Sequence, residues 1–128
     1  MREIVKTDQA PAPVGPYNQG IVASGKMLFA AGQICLDAQT GELVGDTVAE
    51  QTEKVMQNLT AVVKAAGAEL SDVVKTSVFL KDMGDFGAMN EVYAKYFDEA
   101  AAPARACVEV ARLPKDVLVE IECVAMVP

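Results

Sequence analysis

The amino-acid sequence predicts an α+β fold: a six-stranded mixed sheet with two helices packed on one face, in the order β-β-β-α-β-α-β-β. Three observations carry this expectation. Six short runs rich in Val, Ile, Leu and Phe are separated by Gly, Pro and polar turns, the pattern of strands. Only two segments carry an apolar stripe at helical spacing. Two helices cannot cover both faces of six strands, so both belong on one side and the other sheet face stays open.

Taken in order, "EIVKT" at residues 3–7 makes a short strand. The Pro- and Gly-rich "APAPVGPYNQG" follows as a rigid connector ending in a tight turn. "QGIVA" and "KMLFAAGQI", flanking "SGK", read as a hairpin, and "DAQTGELVG" as a loop with Gly turns. Thr47 and Glu50 fit a capping box. They open a helix whose inner stripe is Val48, Thr52, Val55, Met56, Leu59, Val62, Val63 and Ala66, stopped by Gly67. "DVVKTSVFL" is a buried strand. Asp85 is placed to cap a second helix with Phe86, Met89, Tyr93 and Phe97 inward.

The last two runs lie in "PARACVEVARLPKDVLVEIECVAMV", residues 103–127, and they contain charges where valine would serve. Arg105, Cys107 and Glu109 share one strand face by parity; Leu118, Glu120, Glu122 and Val124 share one face of the next run. A hairpin around "LPKD" pairs Arg112 with Val117, Val110 with Val119 and Glu109 with Glu120. Its apolar face then meets the helices, and its face of arginine, thiol and carboxylates is left uncovered. A half-solvated sheet accounts for strand charges in general. Directly opposed glutamates, however, need a cation nearby, and "PAR" restricts the approach to the strand that carries Arg105. An uncovered face of mixed apolar and charged positions suits the closure of a symmetric oligomer.

At 128 residues with 52% hydrophobic residues, the chain reads as a single domain, residues 1–128, with ample core. No apolar run approaches a membrane span, and no signal segment opens the sequence. Cys35, Cys107 and Cys123 form no disulfide framework and no CxxC pair, which fits a reducing cytoplasm. A net charge of −7, with eleven basic residues in no stripe, argues against nucleic-acid binding. The absence of histidine removes Ser-His-Asp and Cys-His chemistry and the commonest metal ligand. Catalysis must then run on carboxylates, Tyr, Cys, Arg, backbone groups and water.

"APAPVGPYNQG", "AAGQI", "NLTAVVKAAGAELSDVVKTSVFLKDMGDFGAMNEVYAKYF" and "PARACVEVARLPKDVLVEIE" together resemble the YjgF/YER057c/UK114 family of enamine/imine deaminases, over practically the whole chain. The resemblance implies a chorismate-mutase-like subunit and a homotrimer with clefts between neighbours. It also implies hydrolysis of 2-imino acids, such as 2-iminobutanoate and 2-iminopropanoate, to 2-oxo acids and ammonia. Carried over position by position, it implies Arg105 and Glu120 as catalytic residues. Arg105, Tyr17, Cys107, Gly32, Phe86 and Asn90 are implied around the substrate, with no cofactor and no metal. Ala31 departs from the family's Ser or Thr before Gly-Gln, removing a hydroxyl from the site.

The chemistry is coherent with these residues. A planar guanidinium grips a carboxylate with two parallel charge-assisted bonds, which suits Arg105. A carboxylate is the remaining choice to orient water and accept its proton, which suits Glu120. Parity alone does not rank Glu120 above Glu122; the family motif does. Cys107 has no activating base and reads as a lining residue, while Tyr17 reads without the resemblance as packing at a subunit edge. Two other functions compete: a non-catalytic trimer that holds small carboxylates, and an RNA-cleaving translation inhibitor, which the acidity disfavours.

Overall fold

Strand β4, Val73–Leu80, organises the molecule. In the computed structural model, which describes residues 1–128, it runs through the middle of a four-stranded sheet of order β3-β6-β4-β5. Its companions are β3 (Lys26–Gln33), β5 (Ala104–Glu109) and β6 (Val119–Val127). The first two strands, β1 (Arg2–Val5) and β2 (Gly20–Ala23), form a separate antiparallel pair. Six strands and two helices therefore occur in the expected order, with the hydrogen-bonded ladders divided four and two.

Two expected hairpins do not form. β2 pairs with β1, and β3 leaves after Gly25, at φ +123°, to pair with β6. Likewise β5 and β6 do not pair with each other: β4 lies between them, parallel to β5 and antiparallel to β6. β4 buries Val73, Thr76, Val78 and Leu80 completely, and at the sheet centre both of its edges are paired. The segment after β5 wraps the end of β4: Val110 N–H donates to Leu80 O at 2.9 Å and Lys81 N–H donates to Leu118 O at 3.1 Å. The "PKD" turn inside it holds Lys115 and Asp116 at positive φ.

The helices α1 (Val48–Ala65) and α2 (Phe86–Tyr93) cover one face of this sheet. The capping box of α1 is present: Thr47 Oγ1 accepts from Glu50 N–H at 3.2 Å, and Glu50 Oε1 accepts from Thr47 N–H at 3.1 Å. Val48, Thr52, Val55, Met56, Leu59 and Val63 of the expected stripe are buried, and Gly67 ends the helix at φ +84°. For α2, Asp85 stands at the N-cap position, but its side chain caps nothing. Asp82 instead accepts from Gly84 N–H at 2.7 Å and holds the preceding 3-10 turn. Met89, Tyr93 and Phe97 reach the core, with the Tyr93 and Phe97 rings 4.9 Å apart.

Alternation along β4 and β6 sends Thr76, Val78, Leu80, Val119, Ile121, Cys123 and Ala125 into the core beneath the helices. The other face carries Phe79, Glu120 and Glu122, with Phe29 70% and Val108 46% exposed. No helix covers it. Gln51 of α1 is buried and accepts from Leu118 N–H at 2.8 Å, tying the wrapped segment to the helix layer. No helix is long and apolar enough to cross a membrane.

Candidate active site

Arg105 leaves β5 opposite Thr76 of the parallel strand β4. Thr76 is fully buried beneath the helices, so Arg105 points to the helix side as well. There α2 presents Phe86, Asn90 and Tyr93, spaced i, i+4 and i+7 on one face. Asn90 Oδ1 accepts from Arg105 Nη1 at 2.5 Å. The guanidinium carbon lies 4.8 Å from the Tyr93 ring centre, 5.5 Å from Phe86 and 5.3 Å from Tyr17, within reach of cation–π attraction.

Tyr17 arrives from the N-terminal connector, which is fixed at its end by Asn18. That buried amide donates to Ala102 O at 2.7 Å, and its backbone N–H donates to Pro103 O at 3.2 Å. Tyr17 Oη accepts from Val14 N–H at 3.2 Å, so the ring is held against the turn that carries it. A Cβ at Gly15 would stand 3.2 Å from Arg105 Nη2, so the connector approaches the cation closely enough to favour glycine. Arg105 is half-buried, and burial lowers its pKa, opposed by Tyr93, Cys107 and Tyr17. Its charge has no carboxylate within 4.0 Å, since the ion pairs of the chain are Lys54–Asp37 and Arg112–Asp116.

Cys107 follows on the same strand face, opposite Val78, and is partly buried. Burial raises its thiol pKa, and the Arg105 charge offsets that only in part.

Glu120 does not join this group. It stands opposite Phe79 on β4, three residues beyond Thr76 and hence on the other sheet face. The expected sharing of one face by Arg105 and Glu120 is therefore corrected, because β4 intervenes and sets the parity of each neighbour independently. Glu109 is not opposed to Glu120 either; it stands beside Leu80 and accepts from Met83 N–H at 3.0 Å.

The Glu120 carboxyl packs over Gly32, in the β3 irregularity between Ala30 and Gln33. A Cβ at Gly32 would stand 2.9 Å from Glu120 Cδ and 3.1 Å from Cγ. Burial first, and the negative charge of Glu122 second, push the Glu120 pKa above the ordinary carboxylate value. Ala31 is exposed beside this pair.

The sequence-expected residues thus fall into two groups: Arg105, Tyr17, Phe86, Asn90 and Cys107 under the helices, and Glu120 with Gly32 on the open face. A cavity of about 590 Å³ is lined by Lys6, Gly15, Tyr17, Gln19 and Asp98, and neither Arg105 nor Glu120 borders it. Sequence reading assigned Tyr93 and Thr76 to packing alone and gave Gly15 no part in the site. The signal for Tyr93 was its spacing from Phe86 and Asn90.

Comparison with known proteins identifies the family and the fold. Residues 7–127 match the family model described as Endoribonuclease L-PSP. A RutC family protein of Synechocystis is 62% identical over 127 residues, covering 98% of this chain and 97% of that one. The 2-iminobutanoate/2-iminopropanoate deaminase of Escherichia coli is 48% identical over 128 residues, with 98% of each chain covered. The crystal structure of Escherichia coli TdcF with bound serine superposes with a TM-score of 0.74 at 47% identity, covering 98% of this chain and 99% of that one. On sequence and fold together, the chain belongs to the Endoribonuclease L-PSP family, the YjgF group that its motifs resemble.

Proposed function

We propose that the protein hydrolyses reactive 2-imino acids and their enamine tautomers, 2-iminobutanoate and 2-iminopropanoate among them, to 2-oxo acids and ammonia. The observation that carries this reading is Arg105. It is a half-buried cation without a carboxylate partner, held by three rings and one amide, with its remaining N–H groups uncommitted. Such a guanidinium is prepared for a small carboxylate, which restores the electrostatic compensation that burial removed.

Glu120 supplies the proton chemistry. Water adds to C2 of the imine as the carboxylate accepts its proton, giving a carbinolamine. That proton passes to the nitrogen; the carbinolamine hydroxyl then gives its own proton through the same carboxyl to the nitrogen as the C–N bond breaks, so ammonia leaves and the 2-oxo acid remains. A carboxyl with a raised pKa is better matched to both proton transfers than a free one. Positioning provides much of the rest, since the imine carbon is already electrophilic.

Two groups on opposite faces of one sheet serve a common substrate only across a subunit boundary. The reading therefore includes a symmetric trimer, in which Arg105 of one subunit and Glu120 of the next border each cleft. Exposed Phe29 and Val108 on the open face support such closure.

Ala31 favours a second reading, a trimer that binds small carboxylates without turning them over, because no hydroxyl stands beside Glu120 at that position. Coupling the protein to a threonine dehydratase separates the two. Faster appearance of 2-oxobutanoate supports the deaminase; tight 2-oxobutanoate binding with no acceleration supports the binding protein.

A further inference from the structure

Tyr93 has no surface of its own: it is fully buried, as is Thr76. Their hydroxyls lie 2.7 Å apart. Thr76 is the β4 residue directly opposite Arg105, so this hydrogen bond fixes the Tyr93 ring at the point where the arginine emerges. Of the three rings around the guanidinium, Tyr93 is the closest, at 4.8 Å, and the only one wholly enclosed by the core. Asn90, one helical turn earlier, holds Nη1 from the side. One turn of α2 thus supplies a floor and a wall.

A long arginine side chain has much rotamer entropy to lose, and a loose guanidinium would spend ligand affinity on becoming ordered. We infer that Tyr93, pinned by Thr76, is a positioning residue for Arg105, its ring holding the guanidinium with the uncommitted N–H groups turned to the cleft. This rests on the reading of Arg105 as the substrate-carboxylate anchor. Burial pushes the Tyr93 phenol up to about 12, so the hydroxyl remains neutral through the working pH range.

The test is a set of double-mutant cycles on the full-length protein. Tyr93→Leu, Tyr93→Phe and Thr76→Val are each made with Arg105 and with Arg105→Lys. Calorimetry gives the Kd for 2-oxobutanoate, coupled assay gives KM and kcat for 2-iminobutanoate, and thermal unfolding confirms the fold. Tyr93→Leu is expected to raise Kd and KM about tenfold with kcat within about twofold. The two hydroxyl deletions are expected to raise Kd about two- to fivefold, and they carry the test should Tyr93→Leu not fold. In the Arg105→Lys background these factors are expected to shrink toward one.

Unchanged Kd in every folded variant, or equal factors in both backgrounds, overturns the inference. Weak binding by Arg105→Lys beside a silent Tyr93 set removes this inference alone. If Arg105→Lys binds 2-oxobutanoate as the parent does, the carboxylate anchor falls, and the positioning role falls with it.

Discussion

Arg105 and Glu120 project from opposite faces of the same four-stranded sheet, because their partners on the shared strand, Thr76 and Phe79, differ by an odd number of positions. The proposed trimer therefore makes a strong demand. Arg105→Ala and Glu120→Gln, each inactive alone, are expected to regain activity when subunits are unfolded together and refolded as mixtures. In each mixed ring one cleft combines an intact Arg105 with an intact Glu120. The measurement is turnover against mixing ratio; absence of any recovery in mixed trimers places both groups in one subunit's site.

The two residues should fail differently. Arg105→Lys keeps the charge but loses the forked grip, and one charge-assisted hydrogen bond contributes roughly 1.5–3 kcal/mol. KM is expected to rise about tenfold or more. Glu120→Gln is nearly isosteric and cannot take a proton from water, so kcat is expected to fall by roughly 10²–10⁴ with ligand affinity little changed. Parent-like turnover of 2-iminobutanoate by both variants would make the two charges structural.

Gly32 is expected to be irreplaceable for activity yet not for folding. A Cβ there would stand 2.9 Å from Glu120 Cδ, and the carboxyl is the group that must give way. Gly32→Ala should lower kcat by about tenfold or more through displacement of Glu120, with an unfolding temperature close to the parent's. A crystal structure of the variant with Glu120 unmoved and full turnover would sever the link.

The pH profile carries a signature of the raised Glu120 pKa. Activity needs the carboxylate, so the acid limb is expected above the ordinary Glu range. Glu122→Gln removes the like charge but leaves the larger cause, burial, so the limb should move part of the way to lower pH. For stability the sign is opposite to the usual carboxylate case. With a raised folded pKa, the folded state holds the proton more tightly, so Glu120 costs stability as pH rises through that window. Glu120→Gln should therefore relieve a small cost near neutrality and none at low pH, as read by unfolding temperatures at both.

Cys107→Ser is expected to retain most turnover, because burial holds the thiol in its protonated form and no base stands beside it. Mass spectrometry during turnover should find no covalent adduct; a trapped adduct together with complete loss in the variant would make Cys107 a nucleophile.

What the sequence alone determined is local. The Thr47–Glu50 box and the α1 stripe required only neighbouring residues, and the structure has both. The inward set Val119, Ile121, Cys123 and Ala125 followed from alternation along a single strand and is buried. Family motifs selected Arg105, Tyr17, Phe86 and Asn90, and these do converge. The tertiary structure decided which strands became neighbours. Parity says that two residues share a face of their own strand, but not which face, once a third strand enters between two runs close in sequence. Insertion of β4 separated Arg105 from Glu120, brought Thr76 beneath Tyr93 and left Glu109 unopposed to Glu120. The physical reason is that strand pairing is settled among all strands at once: β4 satisfies both of its edges between β5 and β6, and no single segment's alternation contains that choice.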